Sequence, residues 1–439
     1  MTSSSVSDPS YPHLRWIVSQ IGAREHYAVA RALENCGHLE RVYTDFWCPQ
    51  NLTALHHAPQ PLKSLASRRH SALPASKVTA FSASTLRSET RRWVASRLRH
   101  GSVASGDVVA KYAEFIRVGT DFALRCRSHL QKQQLDPRKH VFFGYNTGCL
   151  ETLEWLREQG IFCIVDQIDP ARVEEELVHQ EFEVWPGWEI QAGRVPDAYY
   201  ERLAAEWETA SLVLVNSPWA ATALQKQGVP TSKIIVVPLA FESPAENFEK
   251  VLPNAEPLTV LWLGTVNLRK GIPYFIEAAR LLERTSIRFI VAGPLEISTK
   301  AVDSAPPNVR FLGRVARAEA AALYRQCDVF VLPTISDGFG ITQLEAMTHG
   351  LPVVATPHCG EVVTSGKDGF IVPARDAKAL AHAITELNDD RAMLRAMSEA
   401  ARLKARQFSL NHYIGLLEGE TGRVMERSKG NSGSMPFKS

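Results

Sequence analysis

The sequence predicts an α/β protein of two domains, in which helices cover both faces of parallel sheets. Three observations lead to this prediction. The chain has 439 residues, more than one ordinary domain holds. Short apolar strands alternate with helical patterns in both halves, as they do in parallel sheets. A stretch rich in Pro and Glu, residues 239–257, separates the halves and is the best candidate for a domain boundary.

The elements of the N-terminal half follow from apolar runs between turn residues. Arg15-Trp16-Ile17-Val18-Ser19 forms a first strand, Gly22 opens a turn, and Gly37 ends the next helix. Residues 50–85 show no pattern that assigns an element. The remaining predictions are strands at 141–145, 161–165, 212–215 and 233–238, and helices at 25–35, 86–100, 108–134, 150–159, 196–211 and after Asn216-Ser217-Pro218.

The C-terminal half repeats the same alternation of strand and helix. A last helix opens at Phe408-Ser409, close to the end of the chain. The predicted strands are 259–263, 287–292, 308–312, 328–332, 352–355 and 369–372, and the predicted helices are 271–284, 316–326, 342–349 and 376–387.

The segment 337–352 says more about function than any other part of the chain. Gly338 and Gly340 lie where the chain turns after an apolar strand and where backbone can approach a ligand. A helix follows, so the segment has the order that presents backbone amides to phosphate. The carboxylates of Asp337 and Glu345 bracket the turn. Amides for a diphosphate beside carboxylates for hydroxyls favour a nucleotide sugar, and the alternative is a plain βαβ crossover with surface acids.

This run reads Asp-Gly-Phe-Gly-x4-Glu-Ala-Met-Thr-x-Gly-x-Pro-Val-Val and resembles the acidic motif of retaining glycosyltransferases of the GT-B fold, of the glycosyl transferases group 1 or family 4 type. It departs at Asp337, where the family usually has Glu. The resemblance is strong over about 260–410 and thin before 140. It implies two Rossmann-like domains that face each other across a cleft, at 13–240 and 258–407, with a C-terminal crossover helix at 408–427.

The resemblance also implies roles for residues of the C-terminal domain. Lys270, possibly assisted by Arg269, is expected to stabilise the departing diphosphate. Asp337 is expected to contact the donor sugar and Glu345 the ribose hydroxyls, and no bound metal or cofactor is implied. The other expected donor contacts are Gly264, Gly293 and Pro294 at strand ends and the backbone of Gly338, Phe339, Gly340 and Ile341. Solvated surface roles are the alternative, above all for Arg269.

The N-terminal domain is expected to hold the acceptor. Gly22 and Arg24 follow the first strand, where the family has a glycine-rich loop. Asp166, Gln167 and Asp169 follow the strand 161–165, near which many relatives have a His that is missing here. Contact with the acceptor is the functional interpretation of these residues, and ordinary turn or cap roles are the alternative.

One part of the chain is strongly basic although the net charge is only +2. Residues 61–140 hold sixteen Lys or Arg against five Asp or Glu, a balance of +11, and the rest of the chain is mildly acidic. Such a segment favours an anionic partner. Trp93 lies among arginines in the predicted helix 86–100, which suits an anionic membrane surface. The alternative is a helix that packs on its own domain with its arginines in water.

The composition also indicates the cellular compartment of the protein. The seven cysteines are scattered, odd in number and without Cys-x-x-Cys pairs, which favours a reducing compartment and disfavours a zinc site. The first ten residues show no secretory pattern, and no apolar run approaches the ~20 residues that span a bilayer. We therefore expect a cytoplasmic protein, either soluble or peripheral on the inner face of a membrane.

The function that the resemblance implies is transfer of a hexose, with retained anomeric configuration, from a nucleoside diphosphate sugar to a hydroxyl of a glycan, polysaccharide or lipid-linked acceptor. Nucleic acid is not an expected partner. Two alternatives stay open: a catalytically weak adaptor at a membrane or partner surface, and a GT-B sugar epimerase or phosphorylase. An NAD enzyme is disfavoured because no strand leads into Gly-x-Gly-x-x-Gly.

Overall fold

Two parallel sheets, each covered by helices, form the framework of the protein. The order of strands in the first sheet is β3-β2-β1-β4-β5-β6-β7, and in the second it is β10-β9-β8-β11-β12-β13. Both are doubly wound orders of the Rossmann type. This computed structural model describes residues 14–49, 62–83, 85–87, 108–189, 193–242 and 257–432, with side chains of the last helix described to residue 427.

The first sheet belongs to the N-terminal domain. Its strands are β1 (Arg15–Gln20), β2 (Leu39–Thr44), β3 (Val78–Ala80), β4 (His140–Tyr145), β5 (Phe162–Gln167), β6 (Leu212–Val215) and β7 (Ile234–Val236). The helices around it are α1 (Ala28–Asn35), α2 (Val108–Leu130), α3 (Leu150–Glu158), α4 (Arg172–Val184), α5 (Asp197–Thr209) and α6 (Pro218–Lys226).

The second sheet belongs to the C-terminal domain. Its strands are β8 (Thr259–Leu263), β9 (Arg288–Ala292), β10 (Val309–Gly313), β11 (Val329–Leu332), β12 (Val353–Ala355) and β13 (Gly369–Ile371). The helices are α7 (Ile272–Leu281), α8 (Thr299–Asp303), α9 (Arg317–Gln326), α10 (Thr342–Thr348), α11 (Ala377–Asp389), α12 (Arg391–Ala405) and α13 (Leu410–Ser432).

Burial on both faces explains why the central strands are continuous apolar runs. In β1, Trp16 and Val18 pack into one core of the N-terminal domain, and Ile17 packs into the core on the other face. All three side chains are fully buried. In such a sheet every position of a central strand needs an apolar residue, so the pattern is unbroken rather than alternating.

The last helix packs on the N-terminal domain although it follows the C-terminal one. Leu410, Tyr413, Ile414 and Leu417 of α13 are buried in the same core as Trp16 and the helix α1. The amide of Phe241, where the chain leaves the first domain, donates to the carbonyl of Phe408, where it returns. The two connections between the domains therefore lie side by side.

Several elements differ from the sequence predictions. Strands β2 and β3 were not predicted, because β3 has three half-buried residues and β2 carries charged side chains. Helix α1 begins at Ala28 rather than residue 25, because Glu25, His26 and Tyr27 have left-handed backbone conformations. Most of the predicted helix 86–100, including Trp93, and residues 243–256 of the predicted linker lie outside the described residues. Among the described residues, no helix combines the length and the apolar character that crossing a membrane requires.

Leu417→Ala should lower the free energy of unfolding of the whole protein by about 2–5 kcal/mol, since it leaves a cavity between α13 and the N-terminal core. Urea unfolding followed by tryptophan fluorescence measures this. Asn411→Ala, at an exposed position of the same helix, is the control and should change little. Equal effects of the two substitutions would show that α13 does not stabilise the N-terminal domain.

Candidate active site

Two loops at the carboxyl edge of the second sheet are bonded together. Asn267 caps the turn Leu268–Lys270, because its side chain accepts a hydrogen bond from the amide of Lys270 at 3.0 Å. The carbonyl of Arg269 accepts from the amide of Ile335 at 2.9 Å, in the loop after β11. Gly271 has φ 71°, and a Cβ there would meet the carbonyl oxygen of Pro333 at 1.8 Å. Only glycine permits this approach of the two loops.

The bonded loops place a cation against the first carboxylate of the acidic motif. The ammonium of Lys270 forms an ion pair with Asp337, and both side chains are mostly buried. Burial alone would raise the pKa of Asp337, but the charges of Lys270 and Arg269 outweigh it and hold that pKa below its ordinary value. Asp337 is therefore ionised at neutral pH, beside two cations that are also available to a phosphate.

The N-terminal domain touches the turn of the acidic motif directly. The hydroxyl of Ser217 donates to the carbonyl of Gly338 at 2.7 Å, and a Cβ on Gly338 would meet the carbonyl oxygen of Ile168 at 1.9 Å. The Trp219 indole donates to the hydroxyl of Ser336 at 3.2 Å and stacks on His358 with ring centroids 4.0 Å apart. The two domains meet at this turn, so its glycine is required by tertiary packing.

The other residues of the turn have mainly structural contacts. Phe339 is 2% exposed and packs against Phe408, so its side chain is part of the core, and its amide donates to Asp337 at 3.4 Å. Gly340 has φ 71°, and a Cβ there would meet Leu332 at 2.7 Å. Ile341 is half-buried and directly precedes α10.

Glu345 lies on α10 and is held by a residue that the sequence analysis did not identify. The hydroxyl of Tyr324, on α9, donates to Glu345 at 2.9 Å. Tyr324 in turn stacks on His349, with centroids 5.3 Å apart. Burial raises the pKa of Tyr324 well above its ordinary value, and the charge of Glu345 adds to this, so the tyrosine stays a donor. Glu345 remains half-buried.

The three strand-end residues predicted for the donor lie close together at the same edge. Gly293 approaches Gly264 so closely that a Cβ on Gly293 would meet the carbonyl oxygen of Gly264 at 1.7 Å. The carbonyl of Pro294 accepts from the amide of Val266 at 2.8 Å. These backbone contacts explain in part why these residue types occur here. Gly264 itself is half-buried at the edge of the sheet.

In the N-terminal domain, the loop after β1 is strained. The amide of Gly22 donates to the carboxylate of Asp45 at 2.8 Å. Arg24 lies over the ring of Tyr145, 5.4 Å from its centroid, and three residues in left-handed conformation follow it. Backbone strain of this kind persists only where surrounding structure enforces it, and it is common at functional sites.

The polar residues after β5 have different surroundings. Both carboxylate oxygens of Asp166 are buried without a hydrogen-bond partner among the described residues. Burial and the nearby Glu25 raise the pKa of Asp166 well above its ordinary value. Gln167 is fully buried and bonds to Asp169 and Trp207, which leaves it no surface toward the cleft.

A cavity of about 480 Å³ lies in the N-terminal domain and has the size of a small-ligand pocket. Arg24 and Asp169 line it, and so do aromatic side chains of which the sequence analysis gave no sign. These aromatic residues are Phe81, Tyr112, Phe115, Phe122, Tyr145 and Tyr199. Gly22, Asp166 and Gln167 are not among the lining residues. The sequence could not place the aromatic residues together, because they come from four separate elements or loops.

Asp169 of the cavity is close enough to the Lys270 loop for charges on both sides to affect its pKa. Burial raises the pKa of Asp169, and the charges of Arg24 and Arg269 partly oppose that shift. Ile168, which also lines the cavity, lies against Gly338 of the acidic motif. Arg269 also contacts Glu174 of α4 at 3.5 Å. The N-terminal cavity thus lies next to the cations and the acidic motif.

One wall of the cavity is held by a buried glutamate. Glu206 of α5 accepts hydrogen bonds from the amide of Thr147 at 2.6 Å and from that of Cys149 at 3.2 Å. Thr147, which lines the cavity, has φ 74°. Burial raises the pKa of Glu206 to about 7. No group of three His, Cys, Asp or Glu side chains that could hold a metal occurs within the described ranges.

Comparison with known sequences gives matches over parts of the chain. Residues 257–390 match the family described as "Glycosyl transferases group 1". The chain is 29% identical over 225 residues to the putative colanic acid biosynthesis glycosyltransferase WcaL of Escherichia coli, covering 47% of this chain and 55% of that protein. It is 30% identical over 245 residues to the amylovoran biosynthesis glycosyltransferase AmsK of Erwinia amylovora, covering 52% and 58%. The chain thus matches little more than half the length of these relatives.

Comparison with solved structures covers nearly the whole chain. The structure of sucrose-phosphate synthase from Thermosynechococcus elongatus superposes with a TM-score of 0.59 at 17% identity, over 96% of this chain and 100% of that one. At this identity the likeness establishes the fold alone. It confirms the predicted fold class, GT-B with two Rossmann-like domains.

Glu206→Gln should remove part of the pH dependence of stability. The folded protein binds the proton of Glu206 more tightly than the unfolded chain, because its pKa is about 7 rather than 4.5. The resulting stabilisation is complete below about pH 4.5 and is lost as the pH rises through about 7. The free energy of unfolding in urea should therefore fall more between about pH 5.5 and about pH 8.5 in the wild type than in the variant.

The matched control is Glu201→Gln, an exposed position of the same helix, which should keep the pH dependence of the wild type. Glutamine also replaces one hydrogen-bond acceptor of Glu206 by a donor, which changes stability at every pH. The comparison therefore uses only the change in the free energy of unfolding between the two pH values. The same pH dependence in wild type and Glu206→Gln would contradict a raised pKa for Glu206.

Proposed function

We propose that this chain, whose C-terminal domain belongs to the glycosyl transferases group 1 family within a GT-B fold, transfers a hexose from a nucleoside diphosphate sugar to a hydroxyl group with retention of anomeric configuration. The acceptor is a glycan, a polysaccharide or a lipid-linked sugar. The observation that carries the proposal is the position of Lys270, Arg269 and Asp337 beside a cavity of the opposite domain.

The chemistry of transfer assigns a task to each of these charged groups. The acceptor hydroxyl bonds to the anomeric carbon on the face from which the diphosphate leaves, while the bond from that carbon to the diphosphate oxygen breaks. The hydroxyl proton passes to that departing oxygen, on which negative charge grows. Lys270 and Arg269 stabilise that charge, since electrostatic stabilisation of developing charge is commonly the largest catalytic effect. When the donor binds, Lys270 exchanges its partner Asp337 for phosphate, which leaves Asp337 free to accept from a sugar hydroxyl.

Glu345 binds the ribose of the donor in this proposal. Its carboxylate has two oxygens, and the hydroxyl of Tyr324 occupies one position on Oε2. An ionised carboxylate accepts several hydrogen bonds, so hydroxyls of a ribose can share it with Tyr324. Tyr324 fixes the rotamer of Glu345 in advance, which lowers the entropic cost of binding.

The first test identifies the donor. A thermal-shift screen against a panel of nucleotide sugars should show one or a few that stabilise the protein, followed by assays of donor hydrolysis and sugar transfer. Stabilisation without any turnover would favour the catalytically weak adaptor, in which Asp337 keeps Lys270 neutralised. Isomerised donor without transfer would favour an epimerase.

Lys270→Ala should chiefly slow turnover and Glu345→Ala should chiefly weaken binding of the nucleoside diphosphate. One buried charge-assisted contact is worth roughly 1.5–3 kcal/mol, so each effect should be about tenfold to a hundredfold. Steady-state kinetics and calorimetric nucleotide titration separate the two. Lys300→Ala and Glu399→Ala, at exposed positions of the same domain, are the charge-matched controls. Full activity in either folded active-site variant would refute its assigned role.

Asp337→Asn should lower transfer about tenfold while the affinity for free nucleoside diphosphate stays nearly unchanged, because the lost contact is to the sugar. Asparagine keeps the shape but cannot pair with Lys270 as an ion. The measurement is the ratio of sugar transfer to nucleotide affinity in the same preparation. A collapse of nucleotide affinity would instead make Asp337 a residue that positions Lys270.

A further inference from the structure

The basic segment 61–140 supplies a large part of the wall of the N-terminal cavity. Arg68, Phe81 and Thr85 line the cavity from the region around β3. Helix α2 contributes Phe115, Val118, Phe122 and Arg125, and their spacing of three and four residues places them on one face of the helix. The same stretch that carries the charge balance of +11 therefore faces an enclosed site.

Among the described residues, two of the cavity's arginines form no ion pair with a carboxylate. Arg68 pairs with Asp45, and Arg117 bonds to Glu114 and Asp121, so both are neutralised locally. In the described parts of the chain, neither Arg24 nor Arg125 has a carboxylate within ion-pair distance.

The one further carboxylate that lines the cavity is engaged elsewhere. Asp169 accepts hydrogen bonds from the amide of Ala171 at 2.9 Å and from the side chain of Gln167 at 3.0 Å. Burial also raises its pKa, which weakens it as a counter-ion. The cavity therefore holds two guanidinium groups that a ligand can neutralise.

We propose that the cavity binds an acceptor sugar that carries an oxyanion, a phosphate or a carboxylate, with Arg24 and Arg125 holding the anion. Guanidinium groups match these oxyanions with paired hydrogen bonds. The rings of Tyr112 and Tyr199, whose centroids are 4.7 Å apart, offer faces and edges to the sugar ring. This inference rests on the proposed transferase function, since it names the substrate class of that reaction's acceptor.

The source of the anion is either a soluble sugar or the headgroup of a lipid, and the chemistry of recognition is the same. In both cases the basic segment acts by lining a site within the N-terminal domain. This differs from general attraction to an anionic membrane surface, which needs no particular arginine.

The test compares sugars that carry a phosphate or a carboxylate with an uncharged sugar. Glucose 1-phosphate and glucuronate should bind, and methyl glucoside should bind at least about tenfold more weakly, as the loss of one charge-assisted contact predicts. Titration calorimetry measures the three affinities in the full chain without donor. Each titration is repeated with Lys270→Gln, because a phosphate could also bind at the donor loop. Binding that survives Lys270→Gln belongs to the cavity.

Two substitutions test which residues bind the anionic group of the probe. Arg125→Gln, at an exposed position, and Arg24→Gln should each lower the affinity for glucose 1-phosphate about tenfold and leave the weak affinity for methyl glucoside unchanged. Arg127→Gln is the matched control, since it removes the same charge from the same helix at a residue that does not line the cavity. Thermal unfolding shows that the variants are folded.

Vesicles distinguish the source of the anion. Binding to phosphatidylcholine vesicles that contain phosphatidic acid, lost in Arg125→Gln but not in Arg127→Gln, would assign it to a lipid. Binding of the soluble sugar phosphate alone would assign it to a soluble acceptor. Equal affinity for charged and uncharged sugars, or equal behaviour of Arg125→Gln and Arg127→Gln, overturns the proposal. A failure of every nucleotide sugar to bind would reject the transferase function and leave these probe affinities valid.

Discussion

The bonded pair of loops at the carboxyl edge of the second sheet is the constraint on which the candidate active site depends. The backbone of Gly271 lies against Pro333 with no room for a side chain, and Arg269 accepts hydrogen bonds from the loop after β11. This contact fixes the position of Lys270 relative to Asp337, although 67 residues separate them in sequence. Preorganised charges of this kind stabilise a developing diphosphate without reorganising at the moment of reaction.

Contacts between the domains hold the N-terminal side of the cleft against those charges. Glu181 of α4 is fully buried and accepts from Tyr274 at 2.9 Å and from Arg375 at 2.5 Å, both of the C-terminal domain. Arg269 reaches Glu174 on the same helix. Helix α4 is thus attached to the second domain through the fully buried Glu181, whose partner Arg375 is exposed. Loss of Arg375 would leave the carboxylate of Glu181 buried without its cation, which is costly.

A buried carboxyl group and a strained backbone segment of the N-terminal domain lie near the cleft. Asp166 and the left-handed run of Glu25, His26 and Tyr27 lie at the carboxyl edge of its sheet, where ligands bind in folds of this type. Burial raises the pKa of Glu25 to about 7. The charge of Glu25 in turn adds to the raised pKa of Asp166. Three of the four arginines that line the cavity beside them, Arg68, Arg117 and Arg125, come from the basic segment.

The sequence by itself determined most of the central strands and singled out the segment 337–352 as the candidate donor motif. Unbroken apolar runs gave the central strands within one or two residues, since burial on both faces leaves little freedom of composition, and Asp337 to Pro352 identified the motif by its residues alone. Only the tertiary structure decided which residues meet. The Ser217 contact with Gly338, the Tyr324 contact with Glu345 and the burial of Phe339 join or hide residues that no local pattern connects. The short edge strand β3 and the cavity depend on packing between distant segments, and packing leaves no periodic signal in sequence.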